Sequence, residues 1–123
     1  MLPEGEHLRV LKLEPGRGDD PLLCHLEVLS VKDAWRKYEA ISYVWGNPDD
    51  TRYIVLDGHE LPITTSLYDA LKHFRNPETD VTLWADSVCI QQSNPPEKGR
   101  QVQLMGKIYE GAARVRVWLG VDK

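Results

Sequence analysis

The sequence has few cysteines, no run of basic residues and no long apolar segment. Its two cysteines in 123 residues are too few for a disulfide framework. With no signal peptide they indicate reduced thiols, so we expect a cytoplasmic protein. A net charge of -4 without a lysine- or arginine-rich run argues against nucleic acid as a partner. No apolar run approaches the ~20 residues of a membrane-spanning helix, so no membrane partner is expected either.

Glycine-rich phosphate loops and metal-ligand spacings are also missing. The 4 histidines are scattered, and no Cys or His pair has the spacing of a zinc site. The sequence therefore predicts neither a metal nor a bound cofactor. Cys89 belongs to no recognisable Cys–His signature, and a small buried thiol is the favoured interpretation. The apolar content of 41% is enough for the core of one small domain.

The most informative stretch covers residues 81–113. It opens with an apolar, β-forming segment and continues through Asp86 into a polar loop. Apolar residues then recur at steps of three and four, which is typical of the buried face of a helix. That face comprises Val102, Met105, Ile108, Tyr109 and Ala112. The order is strand, polar loop, helix, and in α/β proteins ligands usually bind at loops that follow the carboxyl ends of strands.

The boundaries of this helix are also encoded. Asn94 is a suitable N-cap, Pro95 suits the first helical position, and Glu97 stands where a capping box places its glutamate. Gly111 is placed to end the helix. Gly106 lies inside it, where glycine costs about 1 kcal/mol relative to alanine, so we expect a neighbouring element to approach closely there.

The rest of the chain reads as an α/β domain. Strands are predicted at residues 8–13, 22–29, 39–45, 53–56, 59–63, 81–86 and 114–119. The first two strands form a hairpin, and Asp57-Gly58 predicts a tight type I′ turn in a second one. The segment 39–45 is apolar on both faces, which favours a central strand. A capping signature at Ser66 begins an amphipathic helix whose inner face is Leu67, Ala70, Leu71 and Phe74.

These elements predict a mixed sheet with a parallel centre. The strands at 39–45, 81–86 and 114–119 form that centre, and the two helices pack against it. The N-terminal and internal hairpins are expected as antiparallel additions. Residues 31–37 read as a polar connector in which Trp35 has no assigned role.

Three blocks of sequence carry a family resemblance. The first block is YEAISYVWG at residues 38–46, and the second is LWADSVCIQQ at residues 83–92. The third is a set of spaced residues, namely Glu97, residues 100–102, Met105, residues 108–109, Ala112 and residues 117–120. In order and spacing they resemble the fungal heterokaryon incompatibility (HET) domain, over nearly the whole chain. The sequence departs from the family at Gln91, where asparagine is usual, and at Ala85, where a bulkier aliphatic residue is common.

The resemblance implies one HET domain over residues 1–123, at the N-terminal end of a longer protein. Residues 1–37 would form its N-terminal hairpin and connector, and residues 38–123 its core motifs. It also implies a module of fungal non-self recognition whose activation leads to programmed cell death. Such a module acts by self-association and protein contacts, so the expected partners are a second copy, in a homo-oligomer, or other death-signalling domains.

The HET family is also distantly similar to TIR domains, some of which cleave NAD. The order strand, Asp86, loop, helix, strand resembles part of a TIR or flavodoxin-like sheet. The alternative function is therefore a TIR-like NAD-cleaving hydrolase, with NAD as a substrate and not as a cofactor. In TIR enzymes the catalytic glutamate lies on a later helix, so no residue of this chain matches it.

Two carboxylates are the catalytic candidates. Asp86 follows an apolar strand and could accept hydrogen bonds from ribose hydroxyls; its alternative is a loop-ordering aspartate bonded to backbone amides or paired with Arg100. Glu97 could contact a ribose or stabilise a developing positive charge, and its alternative is the capping-box role.

Five other residues are candidates for ligand binding. They are Ser42, Trp45, Gly46, Gln91 and Arg100. Arg100 could hold a phosphate or carboxylate in bidentate fashion, Trp45 could stack on an aromatic base, and Gly46 would allow close backbone approach. The alternatives are a surface ion pair for Arg100, a core position for Trp45 and a turn for Gly46.

Overall fold

The computed structural model describes residues 6–43, 47, 49–90 and 95–118. Within these ranges the strands are β1 (His7–Leu13), β2 (Leu23–Ser30), β3 (Glu39–Tyr43), β4 (Thr51–Leu56), β5 (His59–Thr64), β6 (Val81–Trp84) and β7 (Arg114–Trp118). The helices are α1 (Val31–Ala34), α2 (Thr65–Phe74), α3 (Asp86–Cys89) and α4 (Pro95–Gly111).

One mixed sheet contains all the described strands, in the order β5-β4-β2-β1-β6-β3-β7. Strand β3 is parallel to both β6 and β7, which confirms the predicted parallel group, and the two predicted hairpins are antiparallel. Asp57 and Gly58 both have positive φ, 51° and 81°, as a type I′ turn requires. The prediction that this group forms the centre of the sheet is wrong, because β1 and β2 take the middle positions and the parallel group lies at one end, with β7 outermost among the described strands.

The N-terminal hairpin is central in this sheet. Strand β1 pairs antiparallel with β6, while β2 pairs parallel with β4, so the hairpin joins the parallel group to the β4–β5 hairpin. Leu8, Val10, Leu11 and Leu13 of β1 are completely buried. The N-terminal hairpin, expected as an addition to the sheet, thus supplies its two middle strands, β1 and β2.

The two long helices pack on opposite faces of the sheet. Trp84 is paired with Ala40 of β3 and packs on Tyr109 of α4, with ring centroids 5.5 Å apart. Trp118 is paired with Tyr43 of β3 and packs on Phe74 of α2. Since Ala40 and Tyr43 are three residues apart in one strand, their partners point to opposite faces. The predicted arrangement of helices flanking an α/β sheet is confirmed.

Both helices differ in detail from the prediction. The N-cap of α2 is Thr64, not Ser66, and the Thr64 side chain accepts a hydrogen bond from the Leu67 amide. Helix α4 ends at Gly111 as predicted, but Val102 is half exposed and its neighbour Gln101 is buried. The inner face of the first half of α4 is therefore polar, which a pattern of apolar residues cannot indicate.

The connector after β2 closes the far end of α4. Ser30 caps the short helix α1 through the Asp33 amide, and Arg36 then adopts a left-handed conformation with φ 62°. The Arg36 amide donates to the Gly111 carbonyl at 2.7 Å, and its guanidinium donates to the Ala112 carbonyl at 2.9 Å. Trp35 lies against Gly111, which gives this tryptophan a structural role that the sequence did not indicate.

Candidate functional site

The carboxyl ends of β3, β6 and β7 lie at the same edge of the sheet. Tyr43 and Trp118, the last residues of β3 and β7, are partners in the parallel register, and Asp86 follows two residues after Trp84 at the end of β6. This edge is where open α/β sheets place their ligand-binding groups. The described candidates Ser42 and Asp86 both lie at or just beyond it.

Asp86 is the first residue of α3 and is half-buried. Its carboxylate accepts hydrogen bonds from backbone amides at Asp86 and Ser87 and from the Tyr43 hydroxyl. Burial raises the pKa of the Asp86 carboxyl, and these three hydrogen bonds lower it in part. The backbone bonds agree with the loop-ordering interpretation. They do not test the predicted catalytic role.

Tyr43 connects Asp86 to a hydroxyl on the next residue. Its phenol oxygen lies 2.5 Å from Ser87 Oγ, in addition to its bond with Asp86. Burial raises the pKa of Tyr43 to about 12, and it also raises the pKa of Tyr109, which lies near Asp86. At neutral pH both phenols are therefore protonated, and Tyr43 donates a hydrogen bond to the Asp86 carboxyl group.

Sequence reasoning missed Ser87 and Tyr109 as site residues and gave Tyr43 no role beside Ser42. Tyr43 and Ser87 belong to two of the blocks that resemble the HET domain, so a signal was present in the sequence. Tyr109 was assigned to the buried face of α4, where its ring does pack on Trp84. Only the parallel pairing of β3 with β6 brings the first two blocks together.

The second candidate carboxylate, Glu97, is completely buried. It forms an ion pair with Arg9 of β1 at 2.5 Å, and the Arg9 side chain is only 11% exposed. One turn later on α4, the buried Gln101 amide donates to the His7 carbonyl at 2.8 Å. The first turns of α4 are thus fixed to the start of β1 by polar contacts. The capping box was not tested, because its N-cap, Asn94, is outside the described residues.

The remaining candidates are spread over different surfaces. Ser42 is exposed on β3, where its register partner is Val117 of β7. Arg100 is exposed on α4. Three further candidates, Trp45, Gly46 and Gln91, lie outside the described residues, so their predicted roles stay predictions.

A cleft of about 250 Å³ opens beside α3. Its walls are Ser87 and Val88 on one side and the β4–β5 hairpin on the other, with Thr51, Leu61, Pro62, Ile63 and Thr64. Apolar side chains and three hydroxyls can hold a small neutral ligand or an extended peptide segment. None of the described residues that line the cleft is charged, and one of them, Ser87, bonds Tyr43.

Thiol and metal chemistry find no support in the described part of the chain. Cys89 is completely buried, and burial raises the pKa of its thiol to about 12, which confirms its interpretation as a small buried thiol. Among the described residues no group of three His, Cys, Asp or Glu side chains is placed to hold a metal ion. Within the same ranges no helix is long and apolar enough to cross a membrane.

Comparison with known proteins identifies the family to which the sequence is similar. The model of the heterokaryon incompatibility protein (HET) family matches residues 38–123. A relative, heterokaryon incompatibility protein 6, OR allele, of Neurospora crassa, is 37% identical over an alignment covering 93% of this chain and 19% of the relative. The chain thus spans about a fifth of that relative's length.

No solved structure matches the chain, so the predicted likeness to TIR domains stays a prediction. The family match includes the strand β3 with Tyr43, the turn with Asp86 and Ser87, and the helix α4 with Glu97. It begins at Tyr38, where the first of the three sequence blocks begins. The chain therefore belongs to the heterokaryon incompatibility (HET) family.

Proposed function

We propose that this chain is a HET module of fungal non-self recognition whose activation triggers programmed cell death. The observation that supports this most directly is the family match over residues 38–123, together with 37% identity to a protein named for heterokaryon incompatibility. Because the chain covers 19% of that relative, the partners and the trigger of a whole protein are part of the proposal.

The module acts by self-association and by contacts with other proteins. Large apolar side chains on its surface support this mode of action. Among the described residues outside β7, those with the largest exposed fractions are Tyr53, Val102, Val28 and Trp35. A module that works through contacts needs no complete active site.

The cellular test is inducible expression in a fungal host. We expect growth arrest and vital-dye uptake in cells that accumulate the chain. The double variant Asp86→Asn/Tyr43→Phe disrupts the hydrogen-bonded group and is expected to reduce killing, whereas Glu60→Gln, an exposed carboxylate on β5, is its control and should not. Normal growth at confirmed protein levels would contradict the proposed killing function.

Self-association needs a separate measurement. Size-exclusion chromatography with light scattering over a hundredfold range of concentration is expected to show a mass that rises with concentration. If the chain is strictly monomeric but still toxic, self-association is excluded and the module acts through contacts with other proteins. A monomer without toxicity would contradict the proposal as a whole.

NAD cleavage is a second candidate function. It is favoured by one observation, the half-buried Asp86 carboxylate at the strand ends beside Tyr43 and Ser87. A carboxylate in that position can stabilise the oxocarbenium-like state in which a glycosidic bond breaks. Glu97 is less suited to this step, since it is completely buried against Arg9.

The assay is incubation with NAD followed by chromatography for nicotinamide. We expect release by the chain, and loss of release in Asp86→Asn but not in Glu60→Gln, an exposed carboxylate on β5. Absence of nicotinamide with both this chain and a longer protein that contains it would eliminate the enzymatic function.

A further inference from the structure

Strand β7 is the outermost strand at one end of the sheet. It is paired with β3 along its inner edge over residues Arg114 to Trp118, and among the described residues no strand pairs with its outer edge. The outward amides and carbonyls of an edge strand are a template for pairing with another chain. Soluble proteins usually protect such edges.

The opposite edge of the sheet is protected in this way. Strand β5 has Pro62 at its middle, and proline has no amide to donate to an added strand. Strand β7 has the sequence RVRVW, without proline, glycine or a lysine. Within the described ranges, Pro62 therefore blocks further pairing at the outer edge of β5, whereas the outer edge of β7 carries no such block.

The two faces of β7 differ in character. On the face shared with Ser42 and α4, the side chains of Val115 and Val117 are 45% and 61% exposed. On the other face, Arg114 and Arg116 both reach the one carboxylate of Glu39, with N–O distances of 3.0 Å and 3.3 Å. Because two guanidinium groups share one carboxylate, this group of three side chains carries a net positive charge.

We propose that the outer edge of β7 binds, in trans, an extended strand of a partner polypeptide in which apolar and acidic residues alternate. Main-chain hydrogen bonds to β7 would supply affinity, and the alternation would supply specificity. Apolar side chains of the added strand cover Val115 and Val117, while its carboxylates lie across from Arg114 and Arg116.

The same charges disfavour a second copy of this chain as the occupant. Pairing β7 with β7 of another copy, valines on a common face, brings the arginines of both copies onto the other face. Pairing β7 with β5 of another copy meets Pro62. The inference goes beyond the proposed function, because a strand can bind here whether or not the module kills cells.

The test uses a fluorescein-labelled peptide of seven alternating valine and glutamate residues, with fluorescence anisotropy as the readout. We expect saturable binding that weakens as salt is added. A matched peptide with lysine in place of glutamate should bind about tenfold more weakly, since cross-strand charge pairs are worth about 0.2–1 kcal/mol each. A third peptide with a central proline should not bind.

Matched variants of the chain locate the site. Val117→Lys is expected to abolish binding, whereas Val102→Lys, a half-exposed valine on α4, should leave it unchanged. Arg114→Glu/Arg116→Glu should reverse the preference toward the lysine peptide, and Arg17→Glu in the β1–β2 loop should not. Circular dichroism and thermal melts of each variant exclude unfolding as the cause.

Three outcomes would overturn the proposal. The first is absence of saturable binding by any peptide to the folded wild-type chain. The second is binding that Val117→Lys leaves intact, which would place the site elsewhere. The third is a wild-type dimer that Val117→Lys converts to a monomer, which would assign the edge to a second copy.

Discussion

The Trp35 indole occupies the space that a side chain on Gly111 would need. A Cβ atom built on Gly111 would lie 2.8 Å from Cε3 of Trp35 and 3.2 Å from the Tyr38 hydroxyl oxygen. Tyr38 itself is buried and donates a hydrogen bond to the Ile108 carbonyl. The segment between β2 and β3 thus closes the end of α4, and Gly111 is required by this packing.

We predict that Gly111→Ala lowers the free energy of unfolding by about 1–3 kcal/mol, because overpacking forces Trp35 or the backbone to shift. Gly106→Ala is the matched control in the same helix, where a Cβ would meet no atom within 4 Å. That change should instead stabilise the protein by about 0.5–1 kcal/mol. Urea denaturation of the two variants measures both effects, and equal effects of the same sign would contradict the packing argument.

These two glycines also illustrate how far the sequence could predict the structure. A close approach was expected at Gly106 from its place inside the helix, yet the contact is at Gly111, because Trp35 arrives from a segment distant in sequence. Local signals such as the Asp57-Gly58 turn were sufficient where the structure is decided within a few residues. Contacts that depend on the order of the strands in the sheet could not be predicted from the sequence.

In the candidate site, too, local features were predictable from the sequence and contacts between distant segments were not. Asp86 was predicted because it follows a strand, and its position at the sheet edge depends only on that. Its partners Tyr43 and Ser87 become recognisable only when β3 and β6 are known to be parallel neighbours. The Arg9 partner of Glu97 was not predictable, since it depends on β1 pairing with β6 in the middle of the sheet.

The buried pair of Arg9 and Glu97 gives a second prediction. Arg9→Met alone leaves a carboxylate buried without its cation, which should destabilise the chain by about 3–5 kcal/mol. Arg9→Met combined with Glu97→Leu removes both charges and should recover most of this loss, as hydrophobic replacements of buried pairs often do. Chemical denaturation of the single and double variants measures the coupling.

The exposed pair of Lys107 and Glu6 is the control for this cycle. Its N–O distance is 2.6 Å, close to that of the buried pair, but both side chains are more than half exposed. Glu6→Gln should therefore change the free energy of unfolding by less than about 1 kcal/mol. If Glu6→Gln lowered the free energy of unfolding as much as Arg9→Met does, burial would not be what makes the loss of an ion-pair partner destabilising.

Alkaline pH should destabilise the fold. Burial raises the pKa of Cys24 and Cys89 from 9.0 to about 12, and the pKa of Tyr38 and Tyr43 from 10.0 to about 12. The unfolded chain loses these protons first, so the stability that they confer is present below pH 9 and is lost between pH 9 and 12. Thermal melts at pH 8 to 11 should show a falling midpoint.

Reactivity of the thiols provides an independent check on that prediction. Both cysteines are buried and protonated at pH 8, so neither should react with a thiol-specific reagent in the native protein. Both should react after unfolding in urea. Rapid labelling of Cys89 in the native state at pH 8 would contradict the burial and the raised pKa together.

The carboxyl of Asp86 should titrate above its ordinary range, because burial raises its pKa more than its hydrogen bonds lower it. Tyr43→Phe removes one of those bonds and should raise the pKa of Asp86 further, whereas Tyr53→Phe on β4 should leave it unchanged. Carbon-13 NMR of the aspartate carboxyls between pH 2 and 8 measures these values.

Since the pKa of Asp86 is higher in the folded than in the unfolded chain, Asp86 contributes stability at low pH, and this contribution is lost as the pH rises through the folded pKa. A lower pKa in Tyr43→Phe would show that the phenol does not donate to this carboxylate, and the Tyr43–Asp86–Ser87 group would then have no basis as a site.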